Sequence, residues 1–246
     1  MKSYNEQLTA LRASGNLRHL PEVEHQGIWI LKEGMRMLNL SSNDYLGLAS
    51  RQDLQEEFQA STQDRFYPYS SSSSRLLTGN FSVYTKLEKQ IARSFDREAA
   101  LIFNSGYHAN TGILPALTDK QTLLLADKLV HASIIDGILL SGSPFLRYRH
   151  NDYDQLERLV QKNACQYETI IILTESIFSM DGDVADLNRL IAIKRQYPNI
   201  LLYVDEAHAI GARGKTGLGI AEEQSCIQEI DLLAVSYTHL TLPTNS

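Results

Sequence analysis

The chain has 246 residues, a formal net charge of −6 at pH 7, 43% hydrophobic residues and 21% charged residues. That balance is ordinary for a globular protein, and its acidic sign argues against a nucleic-acid partner, which calls for a basic face. No apolar run approaches the roughly eighteen residues of a membrane span, Met1–Gln7 lack an apolar signal core, and Cys165 and Cys226 stand too far apart in sequence for a metal motif; the expectation is a cytoplasmic protein with no membrane contact and no metal.

In chain order, residues 3–13 predict a short helix stopped by Gly15-Asn16. Residues 27–40 predict a hairpin whose strands, Ile28–Leu31 and Met35–Leu38, flank Glu33-Gly34. Ser41–Gly47 is rich in turn formers, and 51–62 and 82–95 predict amphipathic helices. From there the chain alternates. Apolar runs at Ala99–Phe103, Thr122–Ala126, Phe145–Arg149, Thr169–Thr174, Ile200–Val204 and Asp231–Val235 read as buried strands. Helical patterns occupy 107–117, 132–140, 153–163 and 186–197. The alternation predicts an α/β fold, a mostly parallel sheet with helices on both faces. Ligands of such sheets bind beyond the carboxyl ends of the strands, so the residues just after each strand are the candidates.

Four strand ends carry chemistry. Asn104–Asn110 sets a glycine at a strand-to-helix turn, where free N–H groups favour a phosphate; a plain packing turn reads equally from the same residues. His131 starts a helix after an apolar strand, either as a structural histidine or as a ring that stacks on a flat ligand. Thr174–Asp183 brings polar and acidic groups straight after a buried strand, to line a cavity or to bond among themselves in turns. In Val204-Asp205-Glu206-Ala207-His208 a carboxylate ends an apolar strand and an imidazole follows three residues later. Such an aspartate either keeps a buried ring nitrogen protonated, which improves a pyridine ring as electron sink, or forms a metal-binding or structural Asp–His pair.

In combination and order, SSNDYLG (41–47), SRLLTGN (74–80), SGYHAN (105–110), DKLVHAS (127–133), HND (150–152), ESIFSMDGD (175–183) and VDEAHAIG (204–211) resemble the α-oxoamine synthases, pyridoxal-phosphate (PLP) enzymes of the fold-type-I aminotransferase superfamily. The likeness covers residues 15–236. It implies an N-terminal arm and hairpin over 1–45, a PLP-binding major domain over 46–236 and a homodimer. Within the family the motifs are most similar to the members that condense L-alanine with a pimeloyl thioester into 8-amino-7-oxononanoate in biotin synthesis. Members acting on glycine or serine, such as glycine C-acetyltransferase and serine palmitoyltransferase, are the alternatives, together with a non-catalytic partner subunit. The implied roles are cofactor phosphate for the backbone of Gly106 and Tyr107 and for Ser236, ring stacking and acyl transfer for His131, and the pyridinium nitrogen for Asp205. His208 would meet the phenolic oxygen, with Ser179 and Glu175 at the same ring edge. Arg18, Asn43 and Ser74 would meet substrate. His131, Asp205 and His208 make up the implied catalytic set.

The chain departs from this pattern at its end. The family's lysine, which anchors the cofactor and acts as general base, falls three residues after Ser236, where this chain has His239. Lys215 is the only lysine after Asp205, in a loop the family does not use for that purpose. The expectation is a foreign tail over 237–246, a missing C-terminal small domain and an inactive fragment.

Overall fold

The computed structural model describes residues 3–62 and 70–236, so the segment 237–246, with His239, lies outside the described residues. The chain divides into two compact units, Met1–Ser42 and Asn43–Ser246. In the first, α1 (Tyr4–Ala13) begins with a reciprocal cap. Ser3 Oγ accepts from the Glu6 N–H at 3.3 Å, and Glu6 Oε2 accepts from the Ser3 N–H at 2.7 Å. It ends where Gly15 adopts φ +70°, which lets the N–H groups of Gly15 and Asn16 close on the carbonyls of Arg12 and Leu11. The expected hairpin is present as β2 (Trp29–Lys32) and β3 (Met35–Leu38). Glu33 and Gly34 both have positive φ, the two-residue turn whose twist matches the strands. A third strand, β1 (Glu24–Gln26), pairs antiparallel with β2. Its residues are polar and exposed, so no alternation marks it in the sequence.

The second unit opens with α2 (Gln52–Thr62) and α3 (Ser82–Ser94). It continues through α4 (Gly106–Leu117), β4 (Thr122–Asp127), α5 (Ala132–Ser141), β5 (Phe145–Tyr148), α6 (Tyr153–Asn163) and β6 (Thr169–Glu175). After these come α7 (Leu187–Lys194), β7 (Ile200–Asp205), the short α8 (Ile220–Glu223) and β8 (Leu232–Ala234). All five strands β4–β8 are parallel, in the order β5-β4-β6-β7-β8. Leu124–Ala126 and Ile170–Leu173 are fully buried, because a strand covered on both faces needs apolar side chains at every position. The helices bury single stripes instead, as Leu156, Val160 and Asn163 do on α6.

One expected strand is absent. Residues 99–103 pair with no strand among the described residues, and Leu101 is 66% exposed. Side chains take the backbone groups there: the Ile102 N–H donates to Glu88 Oε1 at 3.0 Å, and Arg75 Nη1 donates to the Ile102 carbonyl at 3.1 Å. Arg75 also pairs with Glu88 at 2.8 Å. An apolar run becomes a strand only where a neighbouring ladder receives it. The last strand is also shorter than expected. Asp231 stays outside it, its carboxylate accepting from the Leu202 N–H at 2.7 Å and pairing with Lys194 at 2.6 Å.

The chain runs outward from β4 to β5 and then returns across β4 to β6, so the strand order reverses between β4 and β6. That reversal opens a crevice at the carboxyl ends of these strands, the usual ligand position in open α/β sheets. On one face of the sheet α4 and α5 pack closely. A Cβ on Gly137 of α5 would sit 2.5 Å from the Asn110 carbonyl oxygen of α4. Gly137→Ala therefore forces the helices apart, and urea unfolding should show a loss of about 1–3 kcal/mol.

Candidate active site

Helix α4 begins at the site. Ser105 caps it, its Oγ accepting from the His108 N–H at 3.1 Å, and the Ala109 N–H closes on the Ser105 carbonyl. The N–H groups of Gly106 and Tyr107, first in the helix, have no intrahelical acceptor and carry the positive end of the helix dipole. A Cβ on Gly106 would come within 3.1 Å of the Ser236 Cβ and 3.3 Å of its Oγ. Glycine at 106 thus lets the segment after β8 close against the helix start. The Tyr107 ring turns outward, and its hydroxyl donates to Asp136 of α5.

One turn further along α4, Asn110 is 1% exposed. Its Nδ2 donates to Ser133 Oγ and to Asp205 Oδ2, both at 2.9 Å, and its Oδ1 accepts from the Tyr203 hydroxyl. Asp205, at the end of β7 and 8% exposed, also accepts from the Ala207 N–H at 3.0 Å. Burial raises its pKa, while Asn110, the Ala207 N–H, His131 and His208 favour the ionised form. His131 caps α5. Its Nδ1 accepts from the Ser133 N–H at 3.2 Å and lies 2.7 Å from Ser133 Oγ. Because Nδ1 accepts the Ser133 N–H, the Ser133 hydroxyl donates to it as well, and the neutral imidazole carries its proton on Nε2. The ring itself is exposed. His208 Nδ1 lies 2.7 Å from the Tyr45 hydroxyl.

Glu175 ends β6 directly beside Asp205 in the parallel register and is 3% exposed. Burial, and then the Asp205 charge, push its pKa up to about 8, against the pull of the His131 and Ser179 N–H groups. Its Oε1 has no hydrogen-bond partner among the described residues. Ser179 is exposed in the following turn, which the Gly182 N–H closes on the Phe178 carbonyl at 2.8 Å.

Two further networks went unread in the sequence. His150 bridges two carboxylates. Its Nδ1 lies 2.9 Å from Asp127 Oδ1, its Nε2 meets Asp183 Oδ2, and its ring stands edge-on to Phe178 with centroids 4.4 Å apart. Burial disfavours the charged ring, but the bonds to Asp127 and Asp183 outweigh it and raise the pKa of His150. This bridge fastens the loop that carries Ser179 to the end of β4. Glu206, fully buried, accepts from Ser176 Oγ and from the Ile220 and Ala221 N–H groups at 3.1 and 2.7 Å. It therefore caps α8 and is committed to structure. Among the described residues no group of three or more His, Cys, Asp or Glu side chains is arranged to hold a metal ion.

The strand ends thus gather Gly106, Tyr107, His131, Glu175, Ser179, Asp205, His208 and Ser236. Arg18 is exposed in the separate N-terminal unit. Asn43 is exposed in the loop whose Tyr45 reaches His208, its carbonyl accepting from the Tyr45 N–H at 2.9 Å. Ser74 turns its hydroxyl onto its own loop, accepting from the Leu76 N–H at 3.3 Å, and no hydrogen bond joins it to the strand-end residues. Sequence reasoning missed Asn110, Ser133 and Tyr45. The signals were the one-turn spacing from Gly106 to Asn110 and the place of Ser133 two residues after His131.

A family model described as aminotransferase class I and II matches residues 35–239. A relative from Haemophilus influenzae (strain 86-028NP), provisionally named 8-amino-7-oxononanoate synthase, is 57% identical over 237 residues, which are 96% of this chain and 62% of the relative. The chain spans about three fifths of the length of the curated relatives it matches. Among solved structures, serine palmitoyltransferase of Sphingomonas wittichii superposes with a TM-score of 0.82 at 24% identity, over 95% of this chain and 58% of that one, a likeness of fold. An 8-amino-7-oxononanoate synthase of Francisella tularensis gives a TM-score of 0.60 at 29% identity, over 81% of this chain and 51% of that one. By the family match and the architecture alike, the chain belongs to the aminotransferase class I and II family.

Proposed function

We propose that the strand-end site binds pyridoxal 5′-phosphate, and that the whole protein is an acyltransferase condensing L-alanine with a pimeloyl thioester, with loss of carbon dioxide, to give 8-amino-7-oxononanoate. The observation that carries this reading is the double duty of α4. One helix presents unbonded N–H groups at its first turn and, one turn later, holds the carboxylate of Asp205 through Asn110. Phosphate at one end and a ring nitrogen at the other match those two features. Two more details fit the same ligand: the close approach of Ser236 to Gly106, where a Cβ would be crowded, and the buried Oε1 of Glu175, unpartnered among the described residues.

Bound there, the cofactor supplies an electron sink for negative charge developing at an amino-acid α-carbon. The protein's own groups do the rest. Gly106 and Tyr107 N–H groups and Ser236 would bind the phosphate. Asp205, held by Asn110 and the Ala207 N–H, would keep a proton on the ring nitrogen. His131 would lie against the ring face with its Nε2–H directed outward, and His208, steadied by Tyr45 at Nδ1, would bond the phenolic oxygen. Ser179 and Glu175 would border the same edge. Arg18, Asn43 and Ser74 as substrate contacts, the homodimer and the cytoplasmic setting rest on the resemblance. The sequence has histidine at 239, where the resemblance puts the anchoring lysine, so the reading includes non-covalent cofactor binding by this chain and no turnover.

Absorbance titration with pyridoxal phosphate tests the reading. Saturable binding is expected, and Asp205→Asn should weaken it on the order of 10- to 100-fold, as loss of a charged hydrogen bond does; no uptake would refute it. Borohydride treatment of the bound chain followed by mass spectrometry should leave Lys215 and every other lysine unlabelled at stoichiometric cofactor. A labelled lysine would overturn the non-covalent reading.

A further inference from the structure

Three carboxyl groups end three adjacent strands: Asp127 on β4, Glu175 on β6 and Asp205 on β7. Two of them have donors on both oxygens. Asp127 accepts from the Leu129 and Asn151 N–H groups, both at 2.8 Å, and meets His150. Asp205 accepts from Asn110 and the Ala207 N–H. Glu175 stands between them. It forms no ion pair among the described residues, its Oε1 is buried without a partner, and its register neighbour is a carboxylate. A bare carboxylate so placed would pay desolvation and like-charge repulsion together.

Resting on the cofactor reading above, we propose that Glu175 works as a neutral carboxylic acid, the proton-bearing half of a pair whose charged half is Asp205, and that its free oxygen donates a hydrogen bond to an anionic oxygen at the edge of the bound ring. The surroundings assign the proton: each of the two carboxyl groups accepts from two donors, but Asp205 faces the imidazoles of His131 and His208, whereas Glu175 faces the carboxylates of Asp205 and Asp127 and keeps Oε1 without a partner among the described residues. Tyr203 and Glu206, beside Asp205, and His150 and Tyr148, beside Asp127, are the other titratable groups around the pair. A neutral Glu175 leaves the ring nitrogen one negative charge to balance and gives the oxygen edge a donor where a carboxylate would repel it. Glu175 is in this sense a positioning residue whose protonation state matters.

The ligand-free chain gives the first test. A glutamate that titrates near 4.5 when unfolded and near 8 when folded holds an extra proton between those values in the native state. The contribution of Glu175 to stability is therefore full below about pH 4.5, falls about tenfold in folding constant per pH unit across the window, and levels off above about 8. Glu175→Gln cannot titrate, so urea unfolding of the wild-type chain against this variant should show that slope in the difference. In the infrared spectrum of the wild-type chain a protonated-carboxyl C=O band should be present at neutral pH and fade as the pH rises through about 8, isotope labelling of glutamate should shift it, and Glu206→Gln, which removes the other buried glutamate, should leave it in place. This second measurement does not use Glu175→Gln, so it stands even if that variant folds poorly. No such band at neutral pH, or a difference without slope, would overturn the proposal.

With pyridoxal phosphate present, Glu175→Gln should bind within roughly threefold of wild type at neutral pH, since one neutral hydrogen-bonding group replaces another. It should also lack the weakening expected of wild type above about pH 8, where Glu175 ionises. A chain that shows the acid band yet takes up no cofactor refutes the cofactor reading and leaves the acid. A chain that takes up cofactor with Glu175 ionised refutes the acid and leaves the cofactor reading.

Discussion

The site hangs on one buried side-chain amide. Asn110 spends both amide hydrogens and its oxygen on three partners in two elements: Ser133 at the start of α5, Asp205 at the end of β7, and the Tyr203 hydroxyl inside β7. A neutral group with donors and an acceptor is what this position requires, because buried polar atoms left unpaired cost more than the bonds themselves contribute. Ser133, held by the same amide, also gives its backbone N–H to His131 Nδ1. The helix that carries Asn110 approaches α5 closely because Gly137 has no side chain to keep it away. The fit of two helices thus reaches the placement of an imidazole.

A parallel sheet with a strand-order reversal delivers side chains to one crevice, and it delivers them whatever their charge. Here three of the arrivals are carboxyl groups, and each is accommodated differently. Asp127 is paired with the His150 imidazole and two backbone N–H groups. Asp205 is hydrogen-bonded and faces two histidines. Glu175, facing carboxylates in place of histidines and keeping one oxygen without a partner among the described residues, is pushed toward its neutral form. The bridge from Asp127 through His150 to Asp183 also ties the loop after β6 to the end of β4, so charge balance and loop placement are one arrangement. Acidic groups outside the crevice have different work. Glu206 caps α8 from a fully buried position and Asp231 anchors the β7–β8 edge.

Local signals in the chain were reliable where local physics decides. The capping box at Ser3 and Glu6, the glycine stop at Gly15 and the Glu33-Gly34 turn all form as their residue types dictate. Continuous apolar runs at Thr122–Ala126, Thr169–Thr174 and Ile200–Val204 became central strands, each extended by the acidic residue that follows it or lies just beyond. Failures came where a partner decides. β1 is a strand only because β2 pairs with it, and residues 99–103 are not one because Glu88 and Arg75 take their backbone groups instead.

For the site, the residue types and their order along the chain were enough to nominate the strand ends, since the period of the strands fixes where each one stops. The sequence alone therefore determined a parallel α/β architecture, the acidic and imidazole groups at its carboxyl edge, and histidine at position 239. Only the tertiary structure decided that Asn110 links Asp205 to Ser133, that Tyr45 meets His208 across 163 positions of chain, and that one oxygen of Glu175 lies buried beside a carboxylate with no partner among the described residues. Those facts depend on which side chains converge from distant segments, and no periodicity within one segment encodes a distance to another.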